Sequence, residues 1–336
     1  MAEHEEDLVK AITDLGGRLE TAKKQIGRRI IGQGEVVDLA LIALLSGGHG
    51  LLVGVPGLAK TRLVETLGVV MGLSTNRVQF TPDLMPGDIL GAEVLEAADD
   101  GGRRFRFIEG PIFCQLLMAD EINRASPRTQ SALLQAMQER QVTIAGQERV
   151  LDVPFHVLAT QNPIEQEGTY PLPEAQLDRF LVQITVDYPD RETEREVLLA
   201  TTGAEELQAE AVFSGAELVA AQEVVRRIPV GDAVMDLILD LVRSGRPGEA
   251  DAPQLVRDYV SWGPGPRAAQ ALMLAVRARA LLSGRLAPGV DDVEALARPV
   301  LRHRMALGFA ARAEGIDLLD VIDAMVARAI RSEAAA

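Results

Sequence analysis

The chain has 336 residues, 47% of them hydrophobic, 25% charged and only 4% aromatic, and carries a formal net charge of −15 at pH 7. That length and apolar content suit two globular domains, and the acidic balance excludes broad binding to nucleic acid or anionic membranes, which needs Lys and Arg in excess. One cysteine, Cys114, excludes an internal disulfide, fits a reducing cytoplasm and, with four scattered histidines, offers no metal-ligand cluster.

The start, Met1-Ala2-Glu3-His4-Glu5-Glu6-Asp7, is acidic and lacks the apolar core of a signal peptide. No apolar run reaches the length of a membrane helix, so a soluble cytoplasmic protein without membrane insertion is expected. Residues 8–29 carry apolar positions at helical spacing, Ile30-Ile31-Gly32-Gln33 interrupts them, and Glu35 to Leu45 resumes a helix. Leu51–Val53 then begins a series of apolar runs suited to buried strands. The others are Val78–Phe80, Ile112–Met118, Phe155–Ala159 and Leu181–Val186, with helical segments such as Thr61–Met71 and Thr129–Gln138 between them. Strands alternating with helices predict an α/β fold on a parallel sheet, with ligands at the carboxyl ends of its strands.

Directly after the first strand comes Gly54-Val55-Pro56-Gly57-Leu58-Ala59-Lys60-Thr61, a phosphate-binding loop. Its backbone N–H groups and the next helix N-terminus meet an anion, Lys60 reaches the β- and γ-phosphates, and the Thr61 hydroxyl takes Mg²⁺. ATP and Mg²⁺ are therefore the expected cofactors. Ala59 departs from the pattern, which has Gly before the Lys. Gly32 and Gln33, at the upstream break, are candidates for backbone contact with an adenine ring.

Two insertions follow. Residues 82–110 hold Pro82, Pro86, a turn at Asp99–Gly102 and the basic alternating stretch Arg103-Arg104-Phe105-Arg106-Phe107, and residues 141–151 predict a β-hairpin around Ala145-Gly146. The strand Phe113–Ala119 ends in Asp120-Glu121, where Asp120 would hold Mg²⁺ through water and Glu121 would orient and deprotonate the attacking water. The strand Phe155–Ala159 runs into Thr160-Gln161-Asn162-Pro163. Asn162 is placed to bond the γ-phosphate or the lytic water, an Asn-Pro turn being the competing reading. Arg179, before the last strand, suits an arginine supplied to a neighbouring subunit's phosphoryl group, against the ordinary fate of a surface or ion-paired arginine. From Ser214 the text is Ala- and Leu-rich with helical periodicity. Arg267 opens a helix there behind Gly263-Pro264-Gly265-Pro266, with a surface role as its simpler reading. Cys114 and Trp262 suit core positions, and His303, in Arg302-His303-Arg304, suits a polar face or partner patch.

These residues together resemble the MoxR family of AAA+ ATPases, in the helix-2-insert clade. The resemblance rests on Ile31-Gly32-Gln33, residues 54–61, Ala119-Asp120-Glu121-Ile122-Asn123-Arg124-Ala125, Thr129 to Glu139, Ala159 to Pro163, Pro173 to Phe180, Gly265-Pro266-Arg267-Ala268 and Leu301-Arg302-His303-Arg304. It implies a P-loop core with a five-stranded parallel sheet over 1–190, a linker at 191–213 and a small all-α lid over 214–336. Lys60 and Thr61 then fall on Walker A, Asp120 and Glu121 on Walker B, Asn162 on sensor 1, Arg179 on the arginine finger and Arg267 on sensor 2. Residues 82–110 match the helix-2 insert and 141–151 the pre-sensor hairpin, both facing a central pore. Such proteins are similar to chaperones: ATP-driven homo-oligomeric rings, commonly hexamers, that remodel or mature a client protein, often beside a partner with a von Willebrand factor A domain. Two other functions fit the same motifs: a nucleic-acid-dependent motor, toward which Arg103, Arg104 and Arg106 point, and a nucleotide-gated switch with little turnover.

Overall fold

The computed structural model describes residues 2–97, 103–165, 167–203 and 208–333. Helix α1 (Ala2–Gly27) lies against the body, and α2 (Gly34–Leu45) is apolar nearly all round and correspondingly buried. Then come β1 (Gly50–Val53), α3 (Lys60–Val70), β2 (Thr75–Gln79), a short α4 (Pro86–Leu90), β3 (Gly91–Ala97), β4 (Arg103–Glu109), β5 (Leu116–Asp120) and α5 (Pro127–Glu139). Ser126 starts α5 by accepting the Thr129 N–H, with Pro127 in the first turn where its missing N–H is not needed. The chain continues through β6 (Gln141–Ile144), β7 (Gln147–Val150), β8 (His156–Gln161), α6 (Glu174–Leu177) and β9 (Val182–Thr185).

Five strands form one parallel sheet in the order β2-β5-β8-β1-β9. The interior strands are wholly buried (all five residues of β5, the first five of β8), which is why they are continuous apolar runs without alternation. The expected third strand begins later than its apolar run: Ile112 to Cys114 is a buried turn, closed by Phe113 N–H to the Gly110 carbonyl and Cys114 N–H to the Ile112 carbonyl. The two insertions are antiparallel hairpins, β3–β4 and β6–β7, and Arg149 of the second stacks over the Phe107 ring of the first at 3.8 Å. The expected turn at Asp99–Gly102 lies outside the described residues.

After β9, α7 (Arg191–Thr202) occupies half of the stretch expected to link the two parts, its first turn capped by Asp190. The second part comprises α8 (Gly215–Arg227), α9 (Asp232–Ser244), α10 (Gln254–Tyr259), β10 (Val260–Trp262), α11 (Pro266–Leu282), α12 (Val290–Leu301), β11 (Ala306–Leu307), α13 (Phe309–Glu314) and α14 (Leu318–Glu333). It is a helical lid that also carries a two-stranded ribbon, β10–β11, too short for a periodicity to announce. One apolar core runs through both parts, from Leu52 and Ile184 in the sheet to Leu272 and Val300 in the lid.

Candidate functional site

Strand β1 delivers the chain into the loop at Gly54. A side chain there would put Cβ 2.3 Å from the Val186 carbonyl oxygen beyond β9, so only glycine lets the loop leave the sheet along this path. Ala59 caps α3 in the left-handed conformation (φ 56°, ψ 20°), at a cost of about 1–2 kcal/mol for a residue with a Cβ. The Lys60 ammonium donates to the Gly54 carbonyl. Partial burial pulls its pKa below the usual lysine range, with the charges of Asp120 and Glu121 opposing. Gln33 Nε2 donates to the Leu58 carbonyl at 3.3 Å, and Gly32 (φ 71°) passes so close to Thr193 of α7 that a Cβ would meet its methyl at 2.0 Å. The upstream break is thereby fastened to the loop.

Across the cleft, β5 ends in Asp120. Its Oδ1 accepts from the Thr160 hydroxyl at 2.6 Å, and its Oδ2 accepts from Arg77 Nη2 at 2.5 Å and Nε at 3.2 Å. Glu121 is left-handed too (φ 54°). A residue with a Cβ sits there against its backbone preference, held by its surroundings. Its N–H donates to Thr160 Oγ1 at 2.8 Å, and its carboxylate accepts from Gln79 at 2.8 Å and Arg124 at 3.4 Å. Asn162 is buried, and its amide oxygen accepts the Ile164 N–H at 3.1 Å, so its NH₂ end is what it can offer a phosphate.

Lys60, Thr61, Asp120, Glu121 and Asn162 thus line one cleft of about 440 Å³, with Pro56, Gly57 and Ala59 at its rim. Reading the sequence alone missed Arg77, Gln79 and Thr160, and gave Arg124 no role. Register brings two of them in: Gln79 sits opposite Asp120 in the parallel ladder, and Arg77 is two residues back on the same face. The donor set fits Mg²⁺, since a hydroxyl and a carboxylate from opposite walls supply hard oxygens to a cation that keeps waters and takes phosphate oxygens. Among the described residues no group of three or more His, Cys, Asp or Glu could hold a metal by itself.

Arg179 and Arg267 do not enter this cleft. They line a second cavity, of about 220 Å³, with Gly48, His49, Asp178, Leu181 and Arg304. Gly48 and His49 precede β1, and Leu181 precedes β9, so this cavity opens at the amino edge of the sheet while the phosphate loop leaves the carboxyl edge. The run from Gly48 to Gly54 spans about 20 Å at ~3.3 Å per residue, well beyond an arginine's reach. Arg179 donates to the Leu134 carbonyl, and Arg267 lies 3.9 Å from the Asp178 carboxylate. Burial, then the like charge of Arg267, lowers the Arg179 pKa from its usual value.

Residues 49–182 match the ATPase family associated with various cellular activities (AAA), and residues 253–325 match the AAA lid domain. The chain is 44% identical to Chaperone MoxR1 of Mycobacterium tuberculosis over 298 residues, covering 89% of this chain and 78% of that protein. It is 34% identical to Protein MoxR of Paracoccus denitrificans, covering 88% and 91% respectively. A crystal structure from Cytophaga hutchinsonii superposes with a TM-score of 0.87 at 36% identity, over 97% of each chain.

Proposed function

The chain belongs to the MoxR family of AAA+ ATPases, and we propose that it hydrolyses ATP with Mg²⁺ at a site shared by two subunits, driving chaperone-like remodelling or maturation of a partner protein. What supports the shared site is the separation of charges: the phosphate loop and acidic pair occupy the carboxyl edge of the sheet, Arg179 and Arg267 the amino edge. In this reading, residues 54–61 hold the triphosphate, with Lys60 on the β- and γ-phosphates. Thr61 and Asp120 hold Mg²⁺, which when bound offsets charge on the transferring group. Glu121 takes the proton of the attacking water, Asn162 donates to the γ-phosphate or that water, and Gly32 and Gln33 sit beside the adenine. Arg179 and Arg267 of a neighbour complete the site as finger and sensor, which requires a homo-oligomeric ring, commonly a hexamer in this family.

Residues 1–190 then act as motor, 191–213 as connection and 214–336 as lid. The client, and a companion with a von Willebrand factor A domain, would meet the ring on other surfaces. Among the described residues no helix is long and apolar enough to cross a membrane. A cytoplasmic ring without broad nucleic-acid contact is the proposed setting.

Glu121→Gln tests the core of this. The amide keeps size and hydrogen bonding and loses the base, so ATP binding should persist while turnover falls by about 10²-fold or more. A client or companion should stay bound to the variant in ATP. Undiminished hydrolysis removes Glu121 from its role, and stimulation of the parent ATPase by DNA at physiological salt would favour the nucleic-acid motor instead.

A further inference from the structure

ATP hydrolysis, as proposed, leaves one motif without a part: Arg302-His303-Arg304, between α12 and β11 of the lid. Arg304 is 2% exposed and is among the largest fully buried side chains of the described residues. Burial lowers its pKa, against which the Asp178 carboxylate pulls it up. A guanidinium is tolerated in such a place only if its N–H groups find acceptors. Arg304 Nε donates to Asp178 Oδ1 at 2.8 Å, Nη1 to the carbonyls of Leu181 (3.0 Å) and Val300 (2.6 Å), and Nη2 to those of Phe180 (2.5 Å) and Asp178 (3.3 Å).

Its neighbours extend the grip. His303 Nε2 donates to the Phe180 carbonyl at 3.0 Å, and Arg302 donates to the Thr185 hydroxyl at the carboxyl end of β9. Three consecutive lid residues therefore fasten the core from Asp178 to Thr185. Arg179 lies inside the fastened stretch. Asp178 is the anion that Arg304 fixes on one side and that Arg267, at the start of α11, faces on the other.

We propose that Arg304 is the positioning residue for Arg179 and Arg267: through Asp178 and the 178–181 backbone, the lid sets where both arginines stand toward the neighbouring subunit. The proposal rests on the reading that these arginines act in trans. It separates Arg304 from ordinary core glue, because its loss should spare the subunit's own nucleotide cleft and damage the neighbour's.

The test is Arg304→Lys, which keeps the charge and loses the fork, with Asp178→Asn as a milder second variant that leaves the carbonyl contacts of Arg304 in place. Each is assayed for binding of a fluorescent ADP analogue and for steady-state hydrolysis, alone and mixed with Lys60→Ala or Arg179→Ala subunits. Nucleotide affinity should stay within about twofold while kcat falls by about tenfold or more for Arg304→Lys and several-fold for Asp178→Asn. Mixing with Lys60→Ala, whose arginines are intact, should restore hydrolysis in the variant's own cleft, and mixing with Arg179→Ala should not. Hydrolysis within about twofold of the parent, or a loss that Lys60→Ala cannot rescue, overturns the proposal. If Arg304→Lys does not fold, Asp178→Asn decides by the same criteria. An inactive Arg179→Ala beside an active Arg304→Lys refutes the positioning role alone, whereas a fully active Arg179→Ala removes the trans reading and this proposal with it.

Discussion

Two imidazoles are sealed in the fold, and acid should find them. His156 is 1% exposed and His303 4%. His156 donates from Nδ1 to the Gly48 carbonyl at 2.8 Å and accepts at Nε2 from Gln222 at 3.1 Å, so a second ring proton would face a donor. Burial pushes its pKa down to about 4, against a small opposing effect of the Gly48 bond, and burial pushes that of His303 well below the usual value. Both folded pKa values lie below the unfolded value, so the unfolded chain takes up protons that the folded chain refuses. Stability is therefore whole above about pH 7 and falls as pH drops through ~6.5 toward ~4. At pH 5 His156 costs about 2 kcal/mol, a large part of a typical 5–15 kcal/mol, and His303 acts in the same direction. His49 is held low as well, to about 3, chiefly by burial and then by His156, but it borders the arginine cavity, where access to water weakens its share. The carboxylates with lowered pKa values, Asp190 and Glu217 among them, lose their contribution as pH falls toward their unfolded values near 4, mostly below the imidazole step. Urea unfolding followed by Trp262 fluorescence at about pH 7.5, 6 and 5 measures the effect. His156→Gln should remove about 2 kcal/mol of the pH dependence between pH 7.5 and 5. Equal midpoints at the two extremes would show that these rings are not held neutral.

Two substitutions in the cleft carry their own expectations. Ala59→Gly removes the left-handed cost of about 1–2 kcal/mol and returns about 0.4–1 kcal/mol through the freer unfolded chain, so the melting temperature should rise slightly; a fall would mean the methyl packs usefully. Thr160→Val removes the hydroxyl that donates to Asp120 and accepts from the Glu121 N–H. Stranding those buried groups should cost about 1–3 kcal/mol in denaturant titrations and lower kcat by about tenfold or more while ADP still binds, and an unchanged kcat would show that Thr160 does not set the acidic pair.

The phosphate loop and the acidic pair were legible because local chemistry dictates them: a glycine turn between strand and helix, and two carboxylates ending an apolar strand. Arg77 was hidden because β2 is an edge strand with a polar start, Thr75-Asn76-Arg77, outside the run Val78–Phe80 that marked it, and Gln79 because no local pattern shows that the register sets it beside Asp120. The early start assigned to β5 has the opposite cause. Ile112 and Cys114 are apolar because they are buried, and burial in a turn leaves the same mark as burial in a strand. Arg304 was misleading in a third way. An arginine suggests water until five acceptors enclose it, four of them from residues 178–181, and those acceptors are mostly main-chain carbonyls that no side-chain pattern records.

The two edges of the sheet also bear on assembly. In the proposed assembly Arg179 of one subunit reaches a neighbour's phosphate loop through a head-to-tail contact, the kind that closes into a ring when its rotation permits. Every open head-to-tail chain leaves one loop unserved at one end and one pair of arginines idle at the other. The proposed ring wastes neither, so hydrolysis per subunit should climb with protein concentration and level off once rings close.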